Sequence, residues 1–421
     1  MKKLLILGSG TAGTMVANAM RKKLSRNEWD ITIVDKSLEH IYQPGLLFLP
    51  LQLYGYNDET AVKKLKKKFI PSGVNFIHAE IQSIDHKNKK VKTTAGAFDF
   101  DLLVVAMGCD IHTEDTDGLS DAMGKGVGTF YTLPGALALQ KPLATMEKGT
   151  LLVNIAELPF KCPVAPIEFV FLADYFYNLK GNRKDIEIVL STPMPGAFTK
   201  PIASGILGEA MAKKNIRVVP NFNLASVDHV AKKITSFEKH EEKFDQLVIV
   251  PPQRGADLLD ESGLGNGAGY LAVDDHTLKS KFSDHIYGVG DITDVHTSKA
   301  GSVAHFMAEV VIENLLLDIK GKELVGGFDG HSNCFIESGY HKGYLVDFNY
   351  EVEPLPGKFP VPVIGPFSLL KDTWMNHIGK MMFRTLYWTR LLRGKALVPF
   401  GIVTNHLSLR GKNTSLLKKK E

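Results

Sequence analysis

The chain has 421 residues, 44% hydrophobic and 23% charged, with a formal net charge of +4 from 50 Lys+Arg against 46 Asp+Glu. At roughly 150 residues per domain this length holds two to three domains, and the composition excludes large-scale disorder. So balanced a charge excludes a nucleic-acid binder that works through bulk charge, and three cysteines cannot make a stabilising disulfide framework.

Met1-Lys2-Lys3 followed by Leu4 to Leu7 imitates the start of a secretory signal. The apolar run stops at Gly8-Ser9-Gly10 with no small-residue cleavage site behind it, so a first sheet strand is expected instead, and no signal peptide. The longest stretch without Asp, Glu, Lys or Arg, residues 40–57, is broken by Pro44, Gly45, Pro50 and Gly55. It cannot hold a spanning helix.

Residues 3–7 predict a strand, 8–13 (GSGTAG) a turn, 14–24 a helix, and 30–34 a second strand closed by Asp35. Gly8 permits the tight turn, Gly10 lets the backbone approach a pyrophosphate, and Gly13 lets helix and strand pack closely. The N-terminus of the 14–24 helix offers N–H groups to the phosphates, with Thr11 and Ala12 in the turn before it as candidate cofactor contacts, and Asp35 stands where a carboxylate reaches a ribose. The placement favours FAD over NAD. Residues 100–105, a strand running into Ala106-Met107-Gly108, and residues 283–290, ending in Gly290-Asp291, resemble the "ATG" crossing and the "GD" motif of two-dinucleotide flavoproteins. By that resemblance Asp291 holds the ribityl and pyrophosphate portion of FAD; otherwise it is a turn aspartate.

A second βαβ unit follows: strand 150–156, helix 167–179, strand 186–191. Its first turn, residues 157–166 (ELPFKCPVAP), has no glycine and three prolines, and the next strand ends in Ser191-Thr192-Pro193 without a carboxylate. The topology of an NADH site is present without its chemistry. Cys162 occupies that loop just before a helix start, where partial positive charge lowers a thiol pKa, and Glu168 in the first turn is the candidate acid or base. A buried structural thiol is the alternative for Cys162.

After Gly290-Asp291, TSKAG at 297–301 leads into a helix through His305 and Glu309, with Lys299 placed to stabilise a reduced flavin or to lie on the surface. Residues 328–337 carry Cys334 and open a β-rich segment through Phe348. The cysteines stand too far apart in sequence for a metal motif, so no metal is expected. From 367 to 393 the apolar positions Phe367, Leu370, Trp374, Ile378, Met381, Trp388 and Leu392 follow helical spacing. Six Lys/Arg and one acid lie between Lys371 and Lys395, which suits a membrane-surface anchor or a helix packed on the core. The lysine runs at 63–68 and 418–420 read as solvated charge, and Cys109 as an incidental buried thiol.

Together these residues resemble the sulfide:quinone oxidoreductases, through GSGTAG at 8–13, YQPGLLFLP at 42–50, FKCPVAPIE at 160–168, GVGDITDV at 288–295, TSKAG at 297–301 and DGHSNC at 329–334. Cys162 and Cys334 are its specific parts; the rest is shared with type II NADH dehydrogenases. The resemblance implies an α/β fold of two Rossmann-like three-layer ββα dinucleotide-binding domains plus a C-terminal membrane-associating segment. The divisions would be 1–108 and 251–325 for FAD, 109–250 for the degenerate second domain, and 326–421 for the C-terminal segment. It also implies that sulfide attacks a bridge between Cys162 and Cys334, with Glu168 as acid–base group, and that electrons pass through FAD to a membrane quinone. FAD would lie on Gly8, Gly10, Thr11, Ala12, Gly13, Asp35, Gln43, Gly108, Gly290, Asp291 and Lys299, and the quinone on Phe335 and Phe367.

Tyr131 stands near the place where many family members have a further cysteine, so FAD is expected to be noncovalent. The expected setting is a peripheral membrane protein, on the cytoplasmic face by default, with a homo-oligomer left open. Three rival functions remain: a type II NADH:quinone dehydrogenase, the flavoprotein subunit of a cytochrome-linked sulfide dehydrogenase, and a sulfane-sulfur carrier.

Overall fold

The first apolar run becomes the middle strand of a five-stranded parallel sheet. In the computed structural model, which describes residues 1–360, 365–395 and Lys412, Lys2–Leu7 lies between Trp29–Asp35 and Leu102–Val105. Asn75–His78 and Ile286–Gly288 form the edges. Leu4 to Leu7 and all of Leu102–Val105 are buried, as strands covered on both faces must be. An antiparallel sheet of Ile81–Asp85, Lys90–Thr93 and Gly96–Asp99 is inserted before Leu102–Val105.

A second parallel sheet runs in the order Val127–Gly128, Gln246–Val250, Gly149–Ile155, Ile186–Ser191 and Ile216–Val219, with its own antiparallel sheet of Leu224–Asp228, Lys233–Ser236 and Glu241–Lys243. Because Ile286–Gly288 pairs with Leu102–Val105, the first sheet takes strands from both sides of the segment that builds the second. A short antiparallel pair, Asp110–Ile111 with Gln253–Arg254, joins the two crossings.

The C-terminal strands Ser332–Gly339 and Lys342–Phe348 form a hairpin, extended by Phe367–Leu369 and Gly357–Phe359. Helix Ala165–Lys180 packs on Ser332–Gly339, and helix Trp374–Thr389 packs on both hairpin strands. The hairpin is thereby shared between the second dinucleotide-type unit and the last helix. Helix Gly301–Ile319 packs on the first helix, Thr11–Lys23.

Two features differ from the sequence expectation. The helical stripe does not begin at Phe367: Phe367–Leu369 is a strand, and the helix starts at Trp374, where the Thr373 hydroxyl accepts from the Asn376 N–H. Lys66 is not solvated; its ammonium lies buried, 2.6 Å from the Asp35 carboxylate. The run at 418–420 lies outside the described residues. Among the described residues no helix is long and apolar enough to cross a membrane.

Candidate active site

The dinucleotide turn is shaped by close backbone approach. A Cβ on Gly13 would stand 1.9 Å from the Gly8 carbonyl oxygen, and one on Gly8 2.4 Å from that of Ala106. Gly10 has open space instead, and no side chain caps the Thr11–Lys23 helix that begins beside it. That leaves a cleft floored by helix N–H groups, which suits a pyrophosphate.

Asp35 accepts from the Ser9 N–H at 2.6 Å, the Ser9 hydroxyl at 2.9 Å and the Ser37 N–H at 2.8 Å. Burial would raise its carboxyl, but Lys66 and these N–H groups hold it below the usual carboxylate range. It stays an ionised acceptor, as a ribose partner must. Thr11 and the neighbouring Tyr387 hydroxyl lie 2.7 Å apart, and Tyr387 is 2.6 Å from His40 Nε2. Burial and the Lys66 charge push His40 down to about 4, so the ring is neutral. Ala12 and Gly13 are buried, and Gln43 is exposed at the start of a short turn, Gln43–Gly45. Gly108 and Gly290 lie at the ends of neighbouring strands, Leu102–Val105 and Ile286–Gly288. These residues fit FAD.

The Cys162 loop is stitched to its surroundings. Lys161 N–H donates to Gln253 Oε1 at 2.8 Å, its ammonium to the Cys109 carbonyl at 2.9 Å, and the Tyr131 hydroxyl to the Lys161 carbonyl at 2.8 Å. The Cys162 N–H donates to the Lys299 carbonyl at 2.6 Å. Lys299 is turned inward, its ammonium donating to the carbonyls of Asp291 (2.9 Å) and Thr293 (2.8 Å) and lying 4.0 Å over the Tyr270 ring. The residue that leads into Gly301–Ile319 thus holds the Cys162 loop through its main chain and the Gly290-Asp291 turn through its side chain.

Cys162, Cys334, Glu168 and Lys380 form one electrostatic cluster. Each thiol feels the charges of Glu168 and Lys380, and Cys334 acts on Cys162. Both thiols are free and half-buried, and Cys334 Sγ lies 3.9 Å from the Ser302 hydroxyl. Contrary to the helix-terminus expectation, burial pushes the Cys162 thiol well up, the neighbouring Cys334 adds to this, and Lys380 only partly offsets it. Cys334 is raised by burial too, against the Ser302 hydroxyl. Desolvation outweighs the helix end. Cys109 is buried, 3.9 Å from Gln253 Oε1, and pushed up by burial to about 12.

Lys380 was not among the residues expected at the site. Its side chain is 11% exposed, and its ammonium lies 2.8 Å from Glu168 Oε1 and 2.9 Å from Oε2, with Glu168 fully buried. Burial raises Glu168 to about 7 against the pull of Lys380, while the carboxylate and both thiols raise Lys380 above its ordinary value. The signal lay in the spacing of His377, Lys380, Arg384 and Tyr387, one face of the helix, which a search for apolar stripes passes over. Next to it, the Phe335 and Phe367 rings meet edge to face at 5.2 Å. A Cβ on Gly379 would fall 2.6 Å from Phe335 and 2.7 Å from Phe367, so the helix approaches this aromatic pair as closely as it does only through glycine.

Residues 2–145 match the family model for pyridine nucleotide-disulphide oxidoreductases. The chain is 25% identical over 402 residues to the mitochondrial sulfide:quinone oxidoreductase of Mus musculus, covering 93% of this chain and 86% of that one. Over nearly its whole length the chain is similar to the sulfide:quinone oxidoreductases. The solved sulfide:quinone oxidoreductase from Aquifex aeolicus shares the fold, with a TM-score of 0.78 at 18% identity, covering 95% of this chain and 94% of that one. By contrast, the type II NADH:quinone oxidoreductase of Staphylococcus haemolyticus is 36% identical over only 125 residues, 28% of this chain and 29% of its own. The cytoplasmic face expected above draws no support from a relative that is mitochondrial by name.

Proposed function

We propose that this chain oxidises sulfide to polysulfide or elemental sulfur and passes the two electrons to a quinone. The observation that carries the reading is the cluster of half-buried Cys162 and Cys334 with the buried Glu168–Lys380 pair, Cys162 standing in the loop that would otherwise bind NADH. FAD, held noncovalently by the Gly8–Gly13 turn, Asp35 and the Gly290-Asp291 turn, supplies the two-electron redox centre between thiols and quinone.

In the oxidised form Cys162 and Cys334 are bridged. Attack by HS⁻ breaks that bond, leaves a persulfide on one sulfur and releases the other as a thiolate. Lys380 stabilises this thiolate, and Glu168, raised to about 7, holds or releases a proton near neutral pH. Phe335 and Phe367 form the apolar wall for a quinone ring. Lys299 fixes the Cys162 loop and the Gly290-Asp291 turn in mutual register.

An anaerobic absorbance titration tests this. Sulfide alone should bleach the flavin and a short-chain quinone should restore it, while NADH should do nothing. Bleaching by NADH alone would make the protein a dehydrogenase.

Helix Trp374–Thr389 supports a membrane-surface role by its inverted pattern. His377, Tyr387 and Trp388 face the protein, whereas Trp374 and Met382 are 58% and 55% exposed. An apolar outer face needs an apolar neighbour, and a lipid surface fits. The double substitution Trp374→Ser, Met382→Ser should weaken liposome binding by about tenfold or more, since each removes a side chain worth roughly 1.5–3 kcal/mol when buried. Sulfide-driven bleaching should survive. Unchanged sedimentation with liposomes would remove this helix from the membrane contact.

A further inference from the structure

Sulfide oxidation with a quinone acceptor, the reading on which this inference rests, is not proton-neutral. HS⁻ loses two electrons and one proton on becoming sulfur, and a quinone gains two electrons and two protons on becoming the quinol. The sum is HS⁻ + H⁺ + quinone → sulfur + quinol, so each turnover draws one proton from solvent. The Glu168–Lys380 pair beside the reacting groups is buried, and that proton has to cross protein to reach it.

A second buried acid–base pair stands one helical turn away. His377 precedes Lys380 by three residues on the same helix, and its Nδ1 lies 2.9 Å from Glu337 Oε2, with both side chains buried. The other Glu337 oxygen accepts from the Tyr54 hydroxyl at 2.9 Å, which holds the carboxylate in place. Glu337 is also tied to the first pair through its own strand and through the helix that carries both His377 and Lys380. The main-chain carbonyl of Phe335, two residues earlier on the strand, accepts from the Lys380 ammonium at 3.2 Å. On the outer side, the His377 ring meets the His341 ring edge to face at 5.2 Å, and His341 is exposed.

We propose that His341, His377 and Glu337 form a proton relay from the surface to the Glu168–Lys380 pair. The titratable groups that face it are Tyr54, with Tyr175 stacked behind it at 6.2 Å, and Glu168 and Lys380 at its inner end. Burying a hydrogen-bonded acid–base pair such as Glu337–His377 stabilises a fold no better than apolar residues of the same shape. Its contact with an exposed imidazole outside, and its place one helical turn from the Glu168–Lys380 pair inside, are what a conduit requires.

The test uses the flavin-loaded protein, with Glu337→Gln, Glu337→Asp and His341→Ala as variants. Glu337→Gln should lower steady-state quinone reduction at least about tenfold, as loss of a proton-transfer group does. Proton uptake, followed with a pH-indicator dye, should slow in parallel, and the solvent deuterium isotope effect on turnover should rise. Single-turnover bleaching by sulfide should change less than about twofold. Glu337→Asp should restore much of the loss, and added imidazole should rescue His341→Ala, neither of which follows from a merely structural role. If Glu337→Gln fails to bind flavin, His341→Ala decides alone. Native rates of quinone reduction and dye response in the flavin-loaded variants would overturn the relay. Absence of sulfide-dependent quinone reduction in the unmodified protein would instead overturn the function on which it rests.

Discussion

Alanine at Cys162 or at Cys334 should slow sulfide-driven bleaching of the flavin on the order of a thousandfold or more, as removal of a covalent participant does, while flavin content stays the same. The raised pKa values explain why a single thiol cannot do the work. Burial keeps both sulfurs protonated at neutral pH, so each is a poor nucleophile. On the proposed mechanism sulfide acts on the bridged form, in which one cysteine is electrophile and the other leaving group. Neither cysteine lies in the nucleotide turn, which is why FAD binding should be spared. Cys109→Ala is the control: that thiol is buried against Gln253 and should be dispensable. Full bleaching in either Cys162→Ala or Cys334→Ala would refute the two-sulfur mechanism.

Lys380→Met should cost stability in a pH-dependent way. Removing one partner of a buried pair costs about 3–5 kcal/mol when the remaining charge has nowhere to go. Here the remaining group is Glu168, already raised to about 7 by burial with Lys380 beside it. A carboxyl raised in the folded state adds stability that is fully present below its unfolded pKa, near 4.5, and is lost as pH rises through its folded value. Without Lys380 the folded value climbs further, so the stability deficit of the variant should be small near pH 5 and grow steadily above pH 7. Thermal unfolding between pH 5 and pH 9 measures this. Pairing Lys380→Met with Glu168→Gln should remove most of the pH dependence. An equal drop in Tm at both ends of that range would mean that Glu168 is not the group left uncompensated. Quinone-dependent turnover of Lys380→Met should also fall, because the released thiolate loses its counter-charge.

The nucleotide turn was legible because its constraints are local: Gly8, Gly10 and Gly13 do their work within one strand, turn and helix. The glycine-free Cys162 loop was legible for the same reason. Lys380 was not, since its partner Glu168 lies 212 residues away and nothing in a helical repeat marks which lysine turns inward. Lys66 hid in a run of like charges, and only the tertiary fold brings it to Asp35. The pKa of Cys162 was anticipated in the wrong direction because proximity to a helix start is visible in sequence, whereas depth of burial is not. Phe367 passed for a helical residue because its spacing to Leu370 and Trp374 fits, although the helix begins only after Thr373.

One rod, Trp374–Thr389, meets three parts of the molecule at once. Its outer face carries Trp374 and Met382, its middle supplies Lys380 to Glu168, and its end sets Tyr387 on Thr11 at the nucleotide turn. A segment with such divided duties is not a detachable tail. Cutting the chain before it would remove the proposed lipid-facing side chains, but would also open the thiol chamber and strip a wall from the cofactor cradle. Truncation therefore cannot separate attachment from chemistry, and only single substitutions on the outward face can.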